Sequence, residues 1–226
     1  NGYRASRIER KIKDSSGIDL KSVKAWQMDT FSIPGERIKV GLIKNFRTAK
    51  PKAQKCIDLI NKWDCYLDES SIGGTVYQVF LYQLTKNIIQ PHLGKELTEK
   101  YLGRGKHPIL LPTNELLGHN TEVLIRIFEN SNSKWLPSEK LALSIIENSL
   151  VEACKWLEKN MGENSSNWKW GIIHQAEFKH SFSIKKPFNK IFNIGPFSIG
   201  GDTDTIHQSA YNPSSPYHCT SWSPSN

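Results

Sequence analysis

No apolar run in the sequence approaches the roughly 18 residues of a membrane-spanning helix, so nothing in it reads as a span. Cysteine is scarce. Cys56, Cys65, Cys154 and Cys219 show no C-x-x-C spacing, which argues against a zinc ribbon or a thioredoxin-like site. They allow three disulfide pairings, but a chain of 226 residues buries enough core not to need such staples. GxSxG, P-loop, HExxH and GxGxxG are all missing, so no common catalytic signature is complete. No positive-then-apolar leader opens the chain. It begins Asn1-Gly2-Tyr3-Arg4 without an initiator Met, and reads as an internal piece of something longer. After Asp204 there is no Lys, Arg, Asp or Glu.

What is present fits a folded protein of one large or two small domains. Hydrophobic residues make up 38% and charged residues 23%, with 15 Gly and 11 Pro; neither disorder nor a collagen-like fibre has that balance. The net charge of +8 sits in the first half, where residues 1–113 carry 20 Lys and Arg against 11 Asp and Glu. Such an excess can mark a nucleic-acid or membrane-surface partner. Here the positive residues fall between apolar ones at helical spacing, without RNP-type aromatics, finger spacing or an Arg-rich arm, so solvated helix faces are the expectation.

Periodicity divides the chain into about 165 helical residues and about 60 β-rich ones. Ala5, Ile8 and Ile12 share a face of the first helix, and at about 100° per residue Arg4 leans over that side. Asp19 is placed to cap a second helix whose stripe is Leu20, Val23, Gln27 and Phe31, with the Gln27 amide bonded internally. Pro34 starts a third stretch with Ile38, Leu42 and Phe46 inward. Pro51 starts a fourth with Ala53, Cys56, Ile57 and Ile60 inward. Ser70 or Ser71 caps a fifth carrying Val76, Phe80, Leu84 and Ile88, ended by Pro91, and residues 92–112 read as irregular. The clearest helix runs from Ser138 to Met161 on Leu143, Ile146, Leu150, Cys154 and Leu157, with Gly162 as its stop. Beyond it, Trp168–Ile173 and Phe188–Ile199 read as strands and extended loops. The last residues, rich in Ser and Pro, read as extended chain. Helices followed by strands indicate an α+β fold whose sheet has further strands outside this chain.

Two constellations invite a chemical reading. His174 and His180 lie six residues apart, which on a strand is one face, but no third metal ligand accompanies them. Asp202 and Asp204 lie in Gly200-Gly201-Asp202-Thr203-Asp204-Thr205, too few oxygen ligands for a calcium loop, so an Asp-stabilised turn is expected.

The ordered series Tyr3-Arg4-Ala5-Ser6-Arg7-Ile8, Gln27-Met28-Asp29 and Trp63-Asp64 resembles the penicillin acylase (penicillin amidase) family of N-terminal-nucleophile hydrolases. Trp170-Gly171-Ile172-Ile173-His174 with His180, Phe192-Asn193-Ile194-Gly195-Pro196, and Gly200-Gly201-Asp202 with Thr205 continue it in the family's order. The resemblance implies a precursor that cleaves itself to expose a serine, whose own α-amino group is the general base, with backbone and asparagine donors for the oxyanion. It implies a partial αββα sandwich, with 1–226 as the C-terminal region of the large (β) chain, helical over 1–165 and strands and loops over 166–226. The partners implied are the α chain and the start of the β chain of the same precursor, and a small amide substrate such as a penicillin-like or N-acyl-homoserine-lactone-like compound. No nucleic acid is implied. The nucleophile, the oxyanion asparagine and any calcium ligands would fall upstream of Asn1, leaving no cofactor or metal site in this chain, which alone would be inactive.

Only Arg4 matches an active-site residue of the family, an arginine at the pocket edge that supports the oxyanion asparagine and substrate. Gln27, Asp29, Trp63 and Asp64 are expected to be structural. Relatives are mostly periplasmic or secreted. Departures are His207 in place of the usual asparagine, Ser181 in place of a proline, and a tail, Ser215-Pro216-Tyr217-His218-Cys219, without the family's arginine. They leave a non-catalytic or degenerate relative, or a basic binding module, as the alternatives.

Overall fold

Each of the three helices that make the core starts where local chemistry satisfies its first N–H groups or has none to satisfy. The structure is a computed structural model that describes residues 2–102, 120–130, 133–178, 180–184, 186–209 and 218–220. In chain order its elements are α1 (Tyr3–Lys13), α2 (Leu20–Gln27), α3 (Ile33–Ile38, running into a π-helical turn at Lys39–Ile43), α4 (Pro51–Lys62), α5 (Ile72–Tyr101), α6 (Asn120–Glu129), α7 (Glu139–Met161), α8 (Trp170–Ile173), β1 (His174–Phe178), α9 (Phe188–Phe192), β2 (Ile194–Ser198) and β3 (His218–Thr220). Pro51 occupies the first turn of α4, where a missing N–H costs nothing. The Ser71 hydroxyl accepts from the Gly74 N–H of α5, and Ser138 accepts from Leu141 of α7.

These helices pack on one another as their periodicity predicts. Ala53, Cys56, Ile57 and Ile60 of α4, Val76, Phe80, Leu84 and Ile88 of α5, and Ile146, Leu150, Cys154 and Leu157 of α7 are all buried. Leu143, expected inward, is exposed in the first turns of α7. Trp63, where α4 ends, wedges between α3 and α5 and stacks on Tyr77 with ring centroids 5.0 Å apart. Gly73 permits this approach: a Cβ there would sit 2.3 Å from the Trp63 Cβ. Asp64 accepts from the Tyr66 N–H in the turn that follows.

Several expectations are corrected. α5 runs past Pro91 but breaks three residues on, at Gly94, and a second helical stretch continues to Tyr101, with Ile88, Ile89 and Thr98 buried on either side of the break. The backbone adjusts instead at Gly94, whose φ of 72° suits glycine. The irregular excursion expected over 92–112 therefore begins no earlier than Leu102, and residues 103–112 lie outside the described residues. Trp170–Ile173 is a single helical turn, and Phe188–Phe192 is helical too; the strands are shorter than their β-branched and aromatic composition suggests.

The larger correction concerns α1 and α2. The face expected inward is outward: Ile8 and Ile12 are 40% and 48% exposed, and the face of α1 turned to the protein is Tyr3, Arg4, Arg7 and Lys11. In α2 Leu20 is 71% exposed and Gln27 is exposed as well, so its amide is not buried. Ion pairs aim α1, and no described segment covers the apolar stripes.

The sheet has the order β2-β1-β3. β1 pairs with β2 antiparallel, Gln175 opposite Ser198 and Phe178 opposite Ile194, with an irregularity between Ala176 and Phe178. β3 lies parallel to β1, His174 opposite His218. β2 is exposed along its length, with Ile194 at 60% and Phe197 at 54%. Among the described residues no helix is long and apolar enough to cross a membrane.

Candidate functional site around Arg4

Asp29 is the first fixed point. It is buried, and its carboxylate receives the Arg7 Nε and Nη2 at 3.1 and 2.9 Å, the Lys11 ammonium, and its own turn's Phe31 N–H at 3.0 Å. Burial works to raise its pKa, but the hydrogen bonds from Arg7 and Lys11 outweigh burial and hold it below the ordinary value. Arg7 also donates to the Tyr66 hydroxyl at 3.2 Å and lies 4.1 Å over the Phe31 ring. At the start of α1 the Tyr3 hydroxyl donates to Glu122 of α6, and Arg37 of α3 donates to both. Burial, then Glu122, pushes the Tyr3 phenol well above its usual range.

Arg4, between these anchors, is held differently. Its Nη1 donates to the Gln208 side-chain oxygen at 2.8 Å. Its Nε is buried without a hydrogen-bond partner, and no carboxylate pairs with it among the described residues. A guanidinium carries five N–H donors in a fixed fork. Arg7 and Arg10 of α1 therefore each meet a carboxylate, whereas Arg4 meets none among the described residues.

Gln208 belongs to the segment 200–209, which folds around Asp202. The Asp202 carboxylate accepts from the Asp204 and Thr205 N–H groups at 2.8 and 3.0 Å and from the Gln78 amide of α5 at 2.8 Å. This is the turn expected of the Asp pair. Thr205 donates its hydroxyl to the His207 carbonyl at 2.7 Å, and the His207 N–H donates to the Asp29 carbonyl at 2.9 Å. Asp29 thus grips α1 with its carboxylate and the 200–209 segment with its backbone. Trp170 Nε1 donates to the Gly201 carbonyl at 3.0 Å, which explains the tryptophan of the Trp-Gly-x-x-His stretch.

Burial first, and then the Asp204 charge, pushes the Asp202 carboxyl up to about 7 against those three donors. Because the folded-state value lies above the unfolded one, the native state holds a proton between about pH 4 and 7 that the unfolded chain releases. The stability this group contributes therefore falls as pH rises through that window. Asp202→Asn should flatten the fall, by at most about 1.4 kcal/mol per pH unit, as read from melting curves between pH 4 and 8.

The two histidines do not meet. His174 is buried, stacked on Trp170 with centroids 4.6 Å apart, and its Nε2 lies 2.8 Å from the Ser209 hydroxyl. That hydroxyl gives its proton to the Gly200 carbonyl at 2.6 Å, so His174 Nε2 is the donor and carries hydrogen. His180 lies beyond the end of β1, exposed, its ring 5.1 and 5.3 Å from Phe182 and Phe192. Six residues put two side chains on one face only while the strand lasts, and β1 ends at Phe178. Beside His207 an open cleft of about 350 Å³ is lined by Met28, Thr30, Asp68, Glu69, Ser70 and Gly200. Burial lowers the His207 pKa, and the Glu69 and Asp68 carboxylates draw it partly back.

Gln208 and the double grip of Asp29 carry no local sequence signal, since Gln208 meets Arg4 204 residues away and Asp29 joins Arg7, 22 residues before it, to His207 far along the chain. Part of the basic excess of the first half, meanwhile, meets carboxylates of the second half, in pairs such as Lys50–Glu147, Lys52–Glu158 and Arg37–Glu129.

Fold and site together define a class: an α+β chain whose helices close a core of their own, while its strand β2 and the apolar stripes of α1 and α2 are exposed and Arg4 meets no carboxylate among the described residues. Comparison with known proteins makes this particular. The penicillin amidase family model matches residues 1–225, and the chain belongs to that family. The acyl-homoserine lactone acylase QuiP of Pseudomonas aeruginosa is 22% identical over 236 residues, covering 92% of this chain and 27% of that protein. A QuiP of Pseudomonas fluorescens is 24% identical over 167 residues, covering 73% of this chain and 19% of that protein. The QuiP of Pseudomonas syringae pv. syringae is 22% identical over 230 residues, covering 93% and 27%. The chain thus spans at most about a quarter of the length of these relatives.

Proposed function

We propose that this chain is the C-terminal region of the large chain of an amidohydrolase that cleaves linear amides of acylated amines, with penicillin-like or N-acyl-homoserine-lactone-like compounds as the substrate class. The reaction adds water across the C–N bond and releases a carboxylic acid and an amine. The serine nucleophile, its α-amino base and the oxyanion asparagine come from polypeptide upstream, and the complete fold is the αββα sandwich, exported from the cytoplasm. The uncovered strand β2 and the exposed stripes of α1 and α2 support this reading, because apolar surface of that extent is normally covered.

The observation that carries the proposal is the state of Arg4. This partly buried guanidinium is held by a neutral amide, its Nε has no hydrogen-bond partner, and no carboxylate meets it among the described residues. Such a group stabilises negative charge that develops on a carbonyl oxygen, directly or by orienting an amide donor, more strongly than it would in water. The full-length protein should hydrolyse a chromogenic acyl amide, and these 226 residues alone should not. A full-length protein inert to a panel of short and long acyl amides would instead be a non-catalytic relative.

A further inference from the structure

Arg4 needs a holder that fixes its direction without cancelling its charge. A carboxylate would fix it and neutralise it, as Asp29 does for Arg7. Gln208 offers one neutral carbonyl oxygen at 2.8 Å from Nη1, and among the described residues no carboxylate meets the rest of the fork. The backbone that carries this side chain is fixed from several sides. Gln208 pairs with Asp202 in a β-bridge, and its neighbour Ser209 donates its N–H to the Asp202 carbonyl at 3.1 Å and its hydroxyl to Gly200. On the other side His207 is tied to the Asp29 carbonyl. Asp29 thereby locates both the helix that carries Arg4 and the segment that carries its partner.

We propose that Gln208 is the positioning residue of Arg4, aiming its charged fork at the reacting carbonyl while leaving the charge intact. The inference rests on the reading of Arg4 as a pocket-edge group in the complete enzyme. In it the segment 200–209 is a rigid bracket whose mechanical output is the orientation of one guanidinium. Its effect is confined to the transition state, so it belongs to kcat and not to substrate capture.

The test uses the full-length protein and a double-mutant cycle. Gln208→Leu removes the acceptor at nearly constant volume. It should lower kcat about tenfold or more, as expected for loss of a hydrogen bond to a charged group, with KM changed less than about threefold. In an Arg4→Ala background the same replacement should have almost no further effect, because the group it orients is gone. Gln208→Met serves as a second acceptor-free variant where Leu disturbs folding. Unchanged kcat in Gln208→Leu, beside an impaired Arg4→Ala, overturns the positioning role and leaves the Arg4 reading standing. A loss that persists undiminished in the Arg4→Ala background assigns Gln208 to the fold and overturns it too, as does failure of both Leu and Met variants to fold. Full activity in Arg4→Ala removes the reading beneath it.

Discussion

Arg4→Ala in the full-length protein should lower kcat by about 100-fold or more, the usual consequence of removing a donor from a site where negative charge develops. Its melting temperature should stay within about 2 °C of the parent. The separation follows from how α1 is held. Tyr3 and Arg37 fasten its first turn to Glu122, and Arg7 and Lys11 fasten the next turns to Asp29, so the helix keeps its place without Arg4. Arg4 itself contributes one hydrogen bond, to Gln208. Such a neutral–charged bond at a partly exposed position adds little to stability once water can replace it. Turnover and thermal melting measured on the same preparation check both halves. An Arg4→Ala protein with full turnover would show that this guanidinium serves no chemical purpose.

Gly201→Ala should have the largest effect on stability, about 3 kcal/mol or more, or a fall in melting temperature on the order of 10 °C for a unit of this size. Gly201 has φ near 74°, in the left-handed region that side chains occupy at a cost of about 1–2 kcal/mol. A Cβ there would also lie 2.0 Å from the His207 carbonyl oxygen, a backbone atom that cannot swing aside. That carbonyl receives the Thr205 hydroxyl, and the Gly201 carbonyl receives Trp170 Nε1, so relief of the clash shifts the turn that carries Gln208. Activity should therefore fall with stability, unlike in Arg4→Ala. Gly41→Ala is the matching control: a Cβ there meets nothing within 4 Å, and the melting temperature should not fall. Equal behaviour of the two glycine variants would show that the 200–209 bracket is not rigid.

The legible parts of the fold are those whose causes are local. Asp19, Ser71 and Ser138 cap the helices they precede, Pro51 opens α4 and Gly162 ends α7, each through groups within four residues. The faces of α4, α5 and α7 follow their apolar spacing because those helices bury one another. α1 shows the limit. Periodicity says which residues share a face, not which face finds a partner, and Asp29 draws Arg7 and Lys11 inward while Ile8 and Ile12 stay outside. Pro91 shows a second limit, since the helix breaks three residues beyond it, at Gly94, where a positive φ suits glycine. At the site, the family resemblance singles out Arg4 and the Gly-Gly-Asp segment with Thr205, whereas periodicity sets Arg4 beside a face of α1 that turns outward. The link between them is not legible, because a contact between residues 4 and 208 leaves no pattern in either neighbourhood.

The central claim is that these residues complete a hydrolase begun by upstream polypeptide that processes itself. Mass mapping of the chain termini in the purified full-length protein tests it most directly. The expected result is two chains, the larger starting at a Ser, Thr or Cys upstream of Asn1 and containing all of residues 1–226. A single uncleaved polypeptide, or a cut falling within these 226 residues, would contradict it.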